Sequence, residues 1–345
     1  MLSVSVIIPH AGGIKILREC LTSLQLSDGV DLETIIVNNG PIDDVDKNTL
    51  SILENVHTLR YECNLGFAAA CNRGVETAIG KYIFLLNNDA LVDENTIRIL
   101  SDRLESDNTI AACQPKILSL VKEGYFDYSS AAGGEMDIYG FPFARGRVFD
   151  TLEEDLGQYE DEREVFWGAG AALMVRRDIY LESGGLDEKF FAHMEEIDMQ
   201  WRIRLMGFKI MVIPKALAWH HGALTILSGS FMKAYLNQRN SLAMLFRNFS
   251  FPVLLRNFLI RGVLDVALLV FSIIKIDFVR LRAVMVSWFW FWGSLPYLIK
   301  TRRKAQKLRK IPDSQLLTHL YPLSIAWQYF VKKRRTWKEL QAQTD

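Results

Sequence analysis

KYIFLLNNDA, residues 81–90, determines how the rest of this 345-residue chain is interpreted. Its apolar part ends at Leu86 and has the length and composition of a buried strand. Three polar residues follow, Asn87, Asn88 and Asp89, and only one of them is charged. Taken alone, they are most simply a turn, because Asn and Asp side chains bond their own backbone. The same ending is also common at the carboxyl edge of a parallel sheet, where ligands bind.

Around this stretch, short β-rich runs alternate with amphipathic runs through the first 120 residues. The predicted strands are VSVII (4–8), TIIVN (34–38), HTLRY (57–61), YIFLL (82–86) and IAACQ (110–114). The predicted helices lie near 14–26, 65–79 and 94–106, with Asn64 and Asp93 as N-caps of the last two. Strands that alternate with helices indicate βαβ units and a mostly parallel sheet.

The chain changes character twice after this region. Residues 119–165 are rich in Gly, Tyr, Phe and acids, and EEDLGQYEDERE is expected to be a solvated acidic loop. WGAGAALMVRR (167–177) resumes a strand, and from about residue 228 the pattern is helical, basic and aromatic. We therefore expect a first domain over 1–223, with halves 1–118 and 119–223, and a helical region over 224–345.

The charge balance differs sharply between these two parts. Residues 1–223 hold 20 Lys and Arg against 35 Asp and Glu, a balance of −15, whereas residues 224–345 hold 20 against 5, a balance of +15. With 50% hydrophobic residues, global disorder is excluded. The four cysteines have no metal-ligand spacing and are expected to be reduced thiols. The amino terminus is typical of a first strand in a cytosolic domain, without the pattern of an export signal.

Several segments together resemble one family. VSVIIP, IIVNN, NLGFAAACNRG, FLLNNDA, GGLDEKFFAHMEEIDMQWRIRLMGF and IPKALAWHHG occur in this order over roughly residues 3–222. This set resembles the family 2 glycosyltransferases, and especially the rhamnosyltransferase-like enzymes of bacterial envelope glycans. The resemblance implies an α/β GT-A domain that binds a nucleotide sugar on a mostly parallel sheet. It also implies an inverting enzyme that transfers the sugar to a glycan or polyprenyl-linked acceptor.

The resemblance implies a divalent cation, Mg²⁺ or Mn²⁺, because a diphosphate leaving group needs a hard cation with oxygen ligands. Asn87-Asn88-Asp89 matches the family's DxD motif with an amide in place of the first acid, so Asp89 is the main predicted ligand. His220 stands where related enzymes often supply a second metal or diphosphate contact. Imidazole favours Mn²⁺. A packed or surface histidine is the alternative, and His221 could substitute.

The donor side is assigned from the strand ends and the following helix. The residues expected to bind the donor are Pro9, His10, Ala11, Asn38, Asn39, Asn64, Gly66, Asn72, Arg73, Asn87 and Asn88. The family commonly has an Asp where Asn38 and Asn39 stand, and a different residue type at His10. The sequence therefore leaves the base of the nucleotide open, with dTDP- and UDP-sugars favoured.

Catalysis is assigned to EEID, which begins a predicted helix after the GGLDEKFF turn. An inverting transfer needs one carboxylate to deprotonate the acceptor hydroxyl, and the family's ED pair places this base at Glu196. Glu195 is expected to orient its neighbour or the acceptor, and Asp198 shares a helix face with Glu195 and can pair with Arg202. The alternative is an acidic first turn that is solvated and favoured by the helix dipole.

On the acceptor side, Trp167 and Gly168 begin a predicted strand, with Trp167 as a sugar platform or as part of the core. In the basic region, 263–276 is too short to span a bilayer, and 283–299 is broken by Gly293 and Pro296. The run WFWFW (288–292) is typical of a membrane interface. We expect peripheral association with an anionic membrane on its cytosolic face, with one or two spans as the alternative, and no nucleic-acid partner.

Three rival functions differ in their sequence requirements. A sugar-nucleotidyltransferase would start with a glycine-rich loop like HAGG, but the continuation GGIKILREC lacks the GxGTR-like pattern. A processive polysaccharide synthase would carry QxxRW and several long spans. A non-catalytic sugar- or membrane-binding module is the third rival, and the presence of Asp89, Glu196 and His220 together argues against it.

Overall fold

The computed structural model describes residues 3–42, 45–129, 131–222 and 229–343. The strands are β1 Ser3–His10, β2 Asp31–Asn39, β3 Val56–Tyr61, β4 Tyr82–Leu86, β5 Ala90–Val92, β6 Ile110–Ser119, β7 Gly134–Met136, β8 Pro142–Ala144, β9 Arg147–Val148, β10 Thr151–Leu152, β11 Arg163–Glu164, β12 Ala172–Arg176 and β13 Lys209–His220. The helices are α1 Ile14–Gln25, α2 Lys47–Leu50, α3 Phe67–Thr77, α4 Thr96–Ser106, α5 Arg177–Glu182, α6 Glu195–Leu205, α7 Phe231–Asn248, α8 Phe251–Ile274, α9 Phe278–Gly293, α10 Leu295–Leu308, α11 Asp313–Leu317 and α12 Trp337–Gln341.

A nine-stranded sheet forms the centre of the molecule, in the order β11-β13-β6-β12-β4-β1-β2-β3, with β5 beside β13. β1 is parallel to β2 and β4, β2 is parallel to β3, and β6 is parallel to β13. β12 lies antiparallel between β4 and β6. The predicted α/β fold with a mostly parallel sheet is confirmed. Strands such as YIFLL are apolar throughout because helices cover both faces of the sheet.

The alternation of side chains along β1 divides the core between the two faces. Val6 and Ile8 pack with Leu17 of α1 on one face. Ile7 packs with Cys71 of α3 on the other face. Both helices lie where their amphipathic patterns predict them, because burying the apolar side of each helix stabilises the sheet beneath it.

The starts of two helices differ from the prediction. α3 begins after Gly66 and α4 after Asn95, two residues beyond the predicted N-caps. Asn64 instead accepts a hydrogen bond from the Gly66 N–H at 2.8 Å, and Asp93 accepts one from the Asn95 N–H at 3.0 Å. Both residues form turns that lead into the helices, as Asn and Asp side chains commonly do.

The second half of the domain adds a four-stranded antiparallel sheet, β10-β9-β8-β7. The acidic stretch at 153–164 was expected to be a solvated loop, but some of its carboxylates pair with buried cations. Asp155 lies 2.9 Å from the Nζ atom of Lys116, and Asp161 pairs with Arg145. Lys116 and Arg145 are both buried. Buried cations therefore hold this acidic segment against the domain, since unpaired buried charge is costly.

The basic region is helical as predicted, and it packs directly on the sheet domain. Trp201 of α6 meets Phe249, just beyond α7, edge to face with ring centroids 4.7 Å apart. Arg247 of α7 donates to Asp198 of α6 at 2.6 Å. The predicted boundary at residues 223 and 224 lies outside the described residues. α6 and α7 share one hydrophobic core.

Helices α8 and α9 present an apolar stripe to solvent. Within each helix most of its residues lie three or four positions apart. They are Phe251, Leu255, Leu259, Val263, Val266, Val270, Ile273, Phe278, Met285, Phe289 and Trp292. The polar residues Asn257, Arg261 and Asp265 of α8 face the protein and are buried. The inward side of α8 is thus polar and the outward side apolar, the reverse of an ordinary surface helix.

Two details of this region correct the sequence-based expectation. The run at 263–276 belongs to the 24-residue helix α8, the helix that is long and apolar enough to cross a membrane among the described residues. Trp288 and Trp290 are half-buried, and the Nε1 atom of Trp288 donates to Asp265 at 2.9 Å. Trp292 is exposed. Consecutive residues of a helix point about 100° apart, so WFWFW cannot present all its rings on one side.

Candidate active site

A cavity of about 780 Å³ opens at the carboxyl ends of β1, β2, β4 and β13 and reaches the start of α6. Most of the predicted site residues line it. They are Pro9, His10, Ala11, Asn39, Asn64, Gly66, Asn87, Asn88, Asp89, Trp167, Glu195, Glu196 and His220. The sheet topology brings these residues together from more than 200 positions of sequence, as expected where parallel strands end at one edge.

Five predicted residues do not line this cavity. Three of the five were expected to bind the donor: Asn38, which is buried in β2, and Asn72 and Arg73 of α3. The other two are Gly168 and Asp198. Asn72 donates to the carbonyl oxygen of Leu186 at 2.8 Å and accepts from Tyr180 at 2.7 Å. These bonds attach α3 to the segment after α5, which explains why the Asn72 amide points away from the cavity.

Arg73, Gly168 and Asp198 also serve other contacts. Arg73 lies 2.7 Å from Glu76 on the same helix. The Gly168 N–H donates to the side chain of Gln200 at 2.7 Å. Asp198 is fully buried and accepts from Arg202, Arg247 and Asn248. Its predicted pairing with Arg202 is confirmed, and the carboxylate joins α6 to α7 instead of facing the cavity.

Asp89 and His220 form the polar centre of the cavity. The His220 Nε2 atom lies 3.1 Å from Asp89 Oδ1, and its Nδ1 atom lies 3.2 Å from Asp127 Oδ2. Burial alone would lower the pKa of His220, but the hydrogen bonds and charges of Asp127 and Asp89 outweigh burial and raise the pKa to about 10. Sequence reasoning missed Asp127, which is 93 residues from His220 and belongs to no motif.

The side-chain types at this centre fit a divalent cation, whose binding would require His220 to release the proton that its raised pKa holds. Asp89 Oδ1 is buried, and its charged neighbour is the His220 ring at 3.1 Å. Asp127 holds one nitrogen of His220 and leaves the other directed at Asp89, the arrangement that carboxylates give to metal-binding histidines. No cluster of three or more acidic, His or Cys ligands forms a complete cage in the described part of the chain. Oxygen atoms of a substrate would have to complete the ligand set.

The amides beside Asp89 contact the neighbouring strand ends. Asn87 Nδ2 lies 3.2 Å from His220 Nε2, and Asn88 Nδ2 lies 2.9 Å from His10 Nδ1. These contacts fix the turn after β4 against β1 and β13. The segment after β4 is thus a turn, as one sequence-based alternative predicts, and this turn lines the cavity at the edge of the sheet.

A second polar contact ties the donor side to the predicted catalytic turn. The side chain of Asn39 accepts from the Leu65 N–H at 2.8 Å and donates to the Gly66 carbonyl oxygen at 3.2 Å. Gly66 has a φ of 87°, and a Cβ atom there would lie 2.6 Å from the carbonyl oxygen of Phe191. Only glycine allows this approach. Phe191 in turn accepts from the Ala68 N–H at 3.3 Å.

The turn that precedes α6 is strained. Phe191, His193 and Met194 have φ angles of 66°, 70° and 72°, which side chains larger than Gly or Asn rarely adopt. Strain of this kind persists only where surrounding contacts enforce it, and it is concentrated at functional sites. The turn ends directly at Glu195 and Glu196, and it directs both side chains into the cavity.

Contacts from α7 hold this turn, and sequence reasoning missed them. The Asn240 Nδ2 atom lies 3.0, 2.9 and 2.7 Å from the carbonyl oxygens of Phe190, Ala192 and His193. Arg239 donates to the carbonyl oxygen of Phe190 at 2.9 Å. Both residues lie in the basic helical region, so this region completes the site of the first domain.

Glu195 and Glu196 are carboxylates in a largely apolar setting. Burial raises the pKa of Glu196 to about 7, although backbone N–H groups at the start of α6 act against this rise. Burial and the charge of Glu196 raise the pKa of Glu195 well above its usual range. One oxygen of each carboxylate is buried without a hydrogen-bond partner among the described residues. Glu196 is therefore near its midpoint at neutral pH, as suits a general base.

Trp167 is both buried and part of the cavity wall. Its indole N–H donates to the carbonyl oxygen of Glu135 at 2.9 Å, and its side chain is 3% exposed. Gly134 lies against the ring, where a Cβ atom would come within 2.2 Å. The predicted strand begins later, at Ala172, because residues 167–171 form the loop that lines the cavity.

Comparison with known proteins agrees with this geometry. The sequence model described as "Glycosyl transferase family 2" matches residues 5–181. The chain is 26% identical over 222 residues to the N-acetylglucosaminyl-diphospho-decaprenol L-rhamnosyltransferase of Mycobacterium tuberculosis, which covers 60% of this chain and 72% of that protein. It is 23% identical over 225 residues to the O-antigen biosynthesis protein RfbC of Myxococcus xanthus, which covers 63% of this chain and 17% of that protein.

Among solved structures, GalNAc-T7 with UDP, GalNAc and Mn²⁺ is similar to this chain, with a TM-score of 0.55 and 17% sequence identity. The match covers 72% of this chain and 48% of that protein. At this identity the likeness concerns the fold alone, and it confirms the GT-A-like architecture of the central sheet.

Proposed function

The chain belongs to glycosyl transferase family 2, and from this premise we propose that it moves a sugar from a nucleotide-diphosphate donor to a hydroxyl group of a lipid-linked cell-envelope glycan, with inversion at the anomeric carbon. One observation carries the proposal. Asp89 at the end of β4 and Glu196 at the start of α6 line the same cavity. One carboxylate is thus available for a cation that holds the diphosphate, and another for the acceptor hydroxyl.

The donor would bind at the strand ends. Asp89 and His220 would hold Mg²⁺ or Mn²⁺, which would neutralise the charge that develops on the departing diphosphate. Asp127 would keep the His220 ring oriented. The base and ribose would lie near His10 and Asn39, where dTDP- and UDP-sugars are favoured. The name of the mycobacterial relative makes L-rhamnose the first sugar to test.

The acceptor hydroxyl would be deprotonated by Glu196. Its carboxylate loses its own proton near neutral pH because burial raises its pKa to about 7. Glu195 beside it would orient Glu196 or the acceptor, and its raised pKa makes it a weaker competitor for negative charge in the same site. A single base on the face opposite the leaving group supports one displacement, and one displacement inverts the anomeric centre.

The apolar stripe of α8 and α9 supports peripheral membrane association. A lipid-linked acceptor lies at a membrane surface, and the stripe places apolar residues such as Val263 and Phe289 in solvent. Apolar faces of this kind insert into the interface of a bilayer, and basic residues add attraction to anionic lipids. The alternative is that α8 spans the membrane, since its length and composition permit it.

The test is a screen of nucleotide sugars against the purified chain with Mn²⁺, with Mg²⁺ or with EDTA. We expect a dTDP- or UDP-sugar to be hydrolysed slowly, and to be transferred faster when a polyprenyl-diphosphate-linked sugar is added. The product should carry the opposite anomeric configuration by NMR. Formation of a nucleoside triphosphate and a sugar 1-phosphate when pyrophosphate is added to the nucleotide sugar would favour a sugar-nucleotidyltransferase. Binding without any turnover would favour a non-catalytic module.

A further inference from the structure

The cavity continues beyond the predicted site into a second, basic end. This end lies between the small sheet and helices α7 to α9, and it is lined by Tyr128, Arg147, Lys233, Arg261 and Arg280. None of these residues belongs to a motif of the sequence analysis. Two of the cations have local roles. Arg261 donates to Asp265, Ser241 and Gln238, and Arg280 lies 3.5 Å from Asp277.

Arg147 is a half-buried arginine of the cavity wall. Its guanidinium carbon lies 4.2 Å from the centre of the Tyr128 ring. Its Nε atom is buried and has no hydrogen-bond partner among the described residues. Burial lowers its pKa, although Tyr128, Asp127 and Asp150 act the other way. The Nε atoms of Arg145 and Arg247 are unpartnered too, but each of these arginines forms an ion pair with an aspartate, and Arg147 forms none with the described residues. A cation in a cavity wall that forms no ion pair with the described residues is available to an anionic ligand.

Lys233 lies beside Arg147 in the first turn of α7. Its Nζ atom lies 5.3 Å from the centre of the same Tyr128 ring. Burial and the charge of Arg147 lower the pKa of Lys233, as expected where two cations share a site that is partly closed to water. Lys233 and Ala234 line the cavity at the amino terminus of an 18-residue helix, whose dipole adds further positive potential.

This basic end lies next to the catalytic turn. Burial and the charge of Lys233 lower the pKa of His193 to about 4, so the ring of His193 is neutral. His193 lines the cavity two residues before Glu195. An anion bound to Lys233 would therefore be a short distance from the carboxylates that meet the acceptor hydroxyl. It would also be separate from the donor end at Asp89.

The wall beyond the two cations is apolar. Leu268 of α8 and Ala283 and Val284 of α9 line the cavity there. The outer faces of the same two helices carry the exposed stripe that includes Val263 and Met285. The cavity thus leads from the catalytic carboxylates, past two cations, to the helices with the most exposed apolar surface.

From this arrangement we propose that Arg147 and Lys233 bind the diphosphate of a prenyl-diphosphate-linked acceptor, whose lipid chain leaves the cavity past Leu268, Ala283 and Val284. This inference rests on the proposed function and adds to it a site for the acceptor anion. The guanidinium of Arg147 suits bidentate contact with phosphate oxygens, and Lys233 supplies a second charge. No bond is formed or broken at this site.

The test is calorimetric binding of farnesyl diphosphate to the full chain in EDTA, which prevents diphosphate from binding through a cation at Asp89. We expect Arg147→Gln and Lys233→Gln each to weaken binding by at least about tenfold, because each removes a charged hydrogen-bond donor to phosphate. Lys215→Gln, which removes an exposed charge of β13 away from the cavity, is the matched control and should bind as the wild type does. Thermal melts of all three variants check that they fold.

Two further ligands distinguish the contribution of the diphosphate from that of the prenyl tail. Pyrophosphate should bind more weakly than farnesyl diphosphate and keep its dependence on Arg147, and farnesol should bind equally to all variants. Equal affinity for pyrophosphate and farnesyl diphosphate would contradict the lipid path, and unchanged affinity in both variants would overturn the site. If the wild-type protein turns over a donor but both variants bind farnesyl diphosphate as tightly as the wild type does, only the acceptor-anion site is refuted. If farnesyl diphosphate binds through Arg147 and Lys233 but the protein turns over no donor, only the proposed glycosyl transfer is contradicted.

Discussion

At the scale of single residues, the cavity separates two carboxylates by their surroundings. Asp89 lies among polar groups, with His220 at 3.1 Å and Asn87 nearby. Glu196 lies at the start of α6 in a setting that disfavours its charge. The two carboxylates therefore suit different tasks. Asp89 lies beside an imidazole where a cation could bind, and Glu196, near its midpoint at neutral pH, can exchange a proton.

Asp89→Asn should lower kcat/KM by at least about 100-fold, or about 2.7 kcal/mol of transition-state stabilisation, because the amide keeps the shape but loses the charge that holds the cation. Steady-state kinetics with a nucleotide sugar and Mn²⁺ measure this. Asp93→Asn is the matched control, since Asp93 caps a turn outside the cavity. Full activity of EDTA-treated wild-type protein would contradict the metal assignment.

Glu196→Gln should lower kcat by roughly 10²–10⁴-fold, the usual contribution of a positioned general base, with donor affinity changed less than about threefold. In the wild type, kcat/KM should rise as pH increases through about 7, because only the ionised carboxylate accepts a proton. A pH–rate profile and donor titrations measure both effects. Glu182→Gln, an exposed acid elsewhere, should leave the profile unchanged. A flat profile would exclude Glu196 as the base.

The raised pKa of Glu196 also predicts a change in stability with pH. Below its usual pKa of 4.5 the carboxyl is neutral in both folded and unfolded chains, so it costs nothing. As pH rises from 4.5 towards 7, the unfolded chain ionises first and the free energy of unfolding falls. Glu196→Gln should therefore melt roughly 2–4 °C above the wild type near pH 8 and at the same temperature near pH 4.5. Calorimetry measures the difference, and a lower Tm at high pH would contradict it.

At the scale of elements, the site depends on the contact between α7 and the turn before α6. Asn240 reaches three carbonyl oxygens of that turn, and Gly66 allows Phe191 to approach α3. The turn is thus held from two sides, and its positive φ angles persist because both contacts enforce them. The position of Glu196 is set by a helix outside the part of the chain that the family model matches.

Asn240→Ala should lower kcat by at least about tenfold with little change in donor KM, because the unsupported turn no longer holds Glu196 in place. The lost hydrogen bonds should also cost roughly 1–3 kcal/mol of unfolding free energy. Asn248→Ala is the matched control, since Asn248 is a buried amide of the same helix that bonds Asp198 and not the turn. It should lose comparable stability with a smaller loss of kcat. Equal losses of kcat in both variants would show that Asn240 only stabilises the fold and does not position Glu196.

At the scale of the whole molecule, an acidic domain and a basic helical region are joined through buried ion pairs. The −15 and +15 balances therefore do not belong to independent bodies. Arg247 lies 2.6 Å from Asp198, and Arg239 supports the catalytic turn, so part of the basic excess is used within the molecule. Exposed cations such as Arg303 and Lys307 remain on α10 for an anionic surface.

Replacement of Leu259, Val263 and Val266 by Gln should lower binding to anionic liposomes by at least about tenfold, because it removes apolar area from the exposed stripe. Raising the salt concentration alone should release only part of the wild-type protein, since apolar insertion is not screened. Liposome co-sedimentation measures both effects. Gln at Ile79, Val121 and Leu156, which are exposed elsewhere, is the matched control. If the wild-type protein does not bind liposomes at low salt, membrane association is refuted.

The sequence by itself determined the sheet, its flanking helices and the edge where the site lies. Strand and helix periods are local, and the polar residues after YIFLL could be recognised within one short window. The position of Asp89 and of the Glu195–Glu196 pair followed from such windows together with the family resemblance. These features need no knowledge of which distant segments meet.

Only the tertiary structure decided which polar residues face the cavity. Asp198 and Asn72 looked like site residues from their motifs, but each is used to join neighbouring helices and loops. Asp127 and Asn240 belong to no motif, yet they bond His220 and the turn before α6 from positions 93 and 47 residues away. A buried polar side chain bonds whatever the packing of the chain brings within reach, and that packing is set by contacts far apart in sequence.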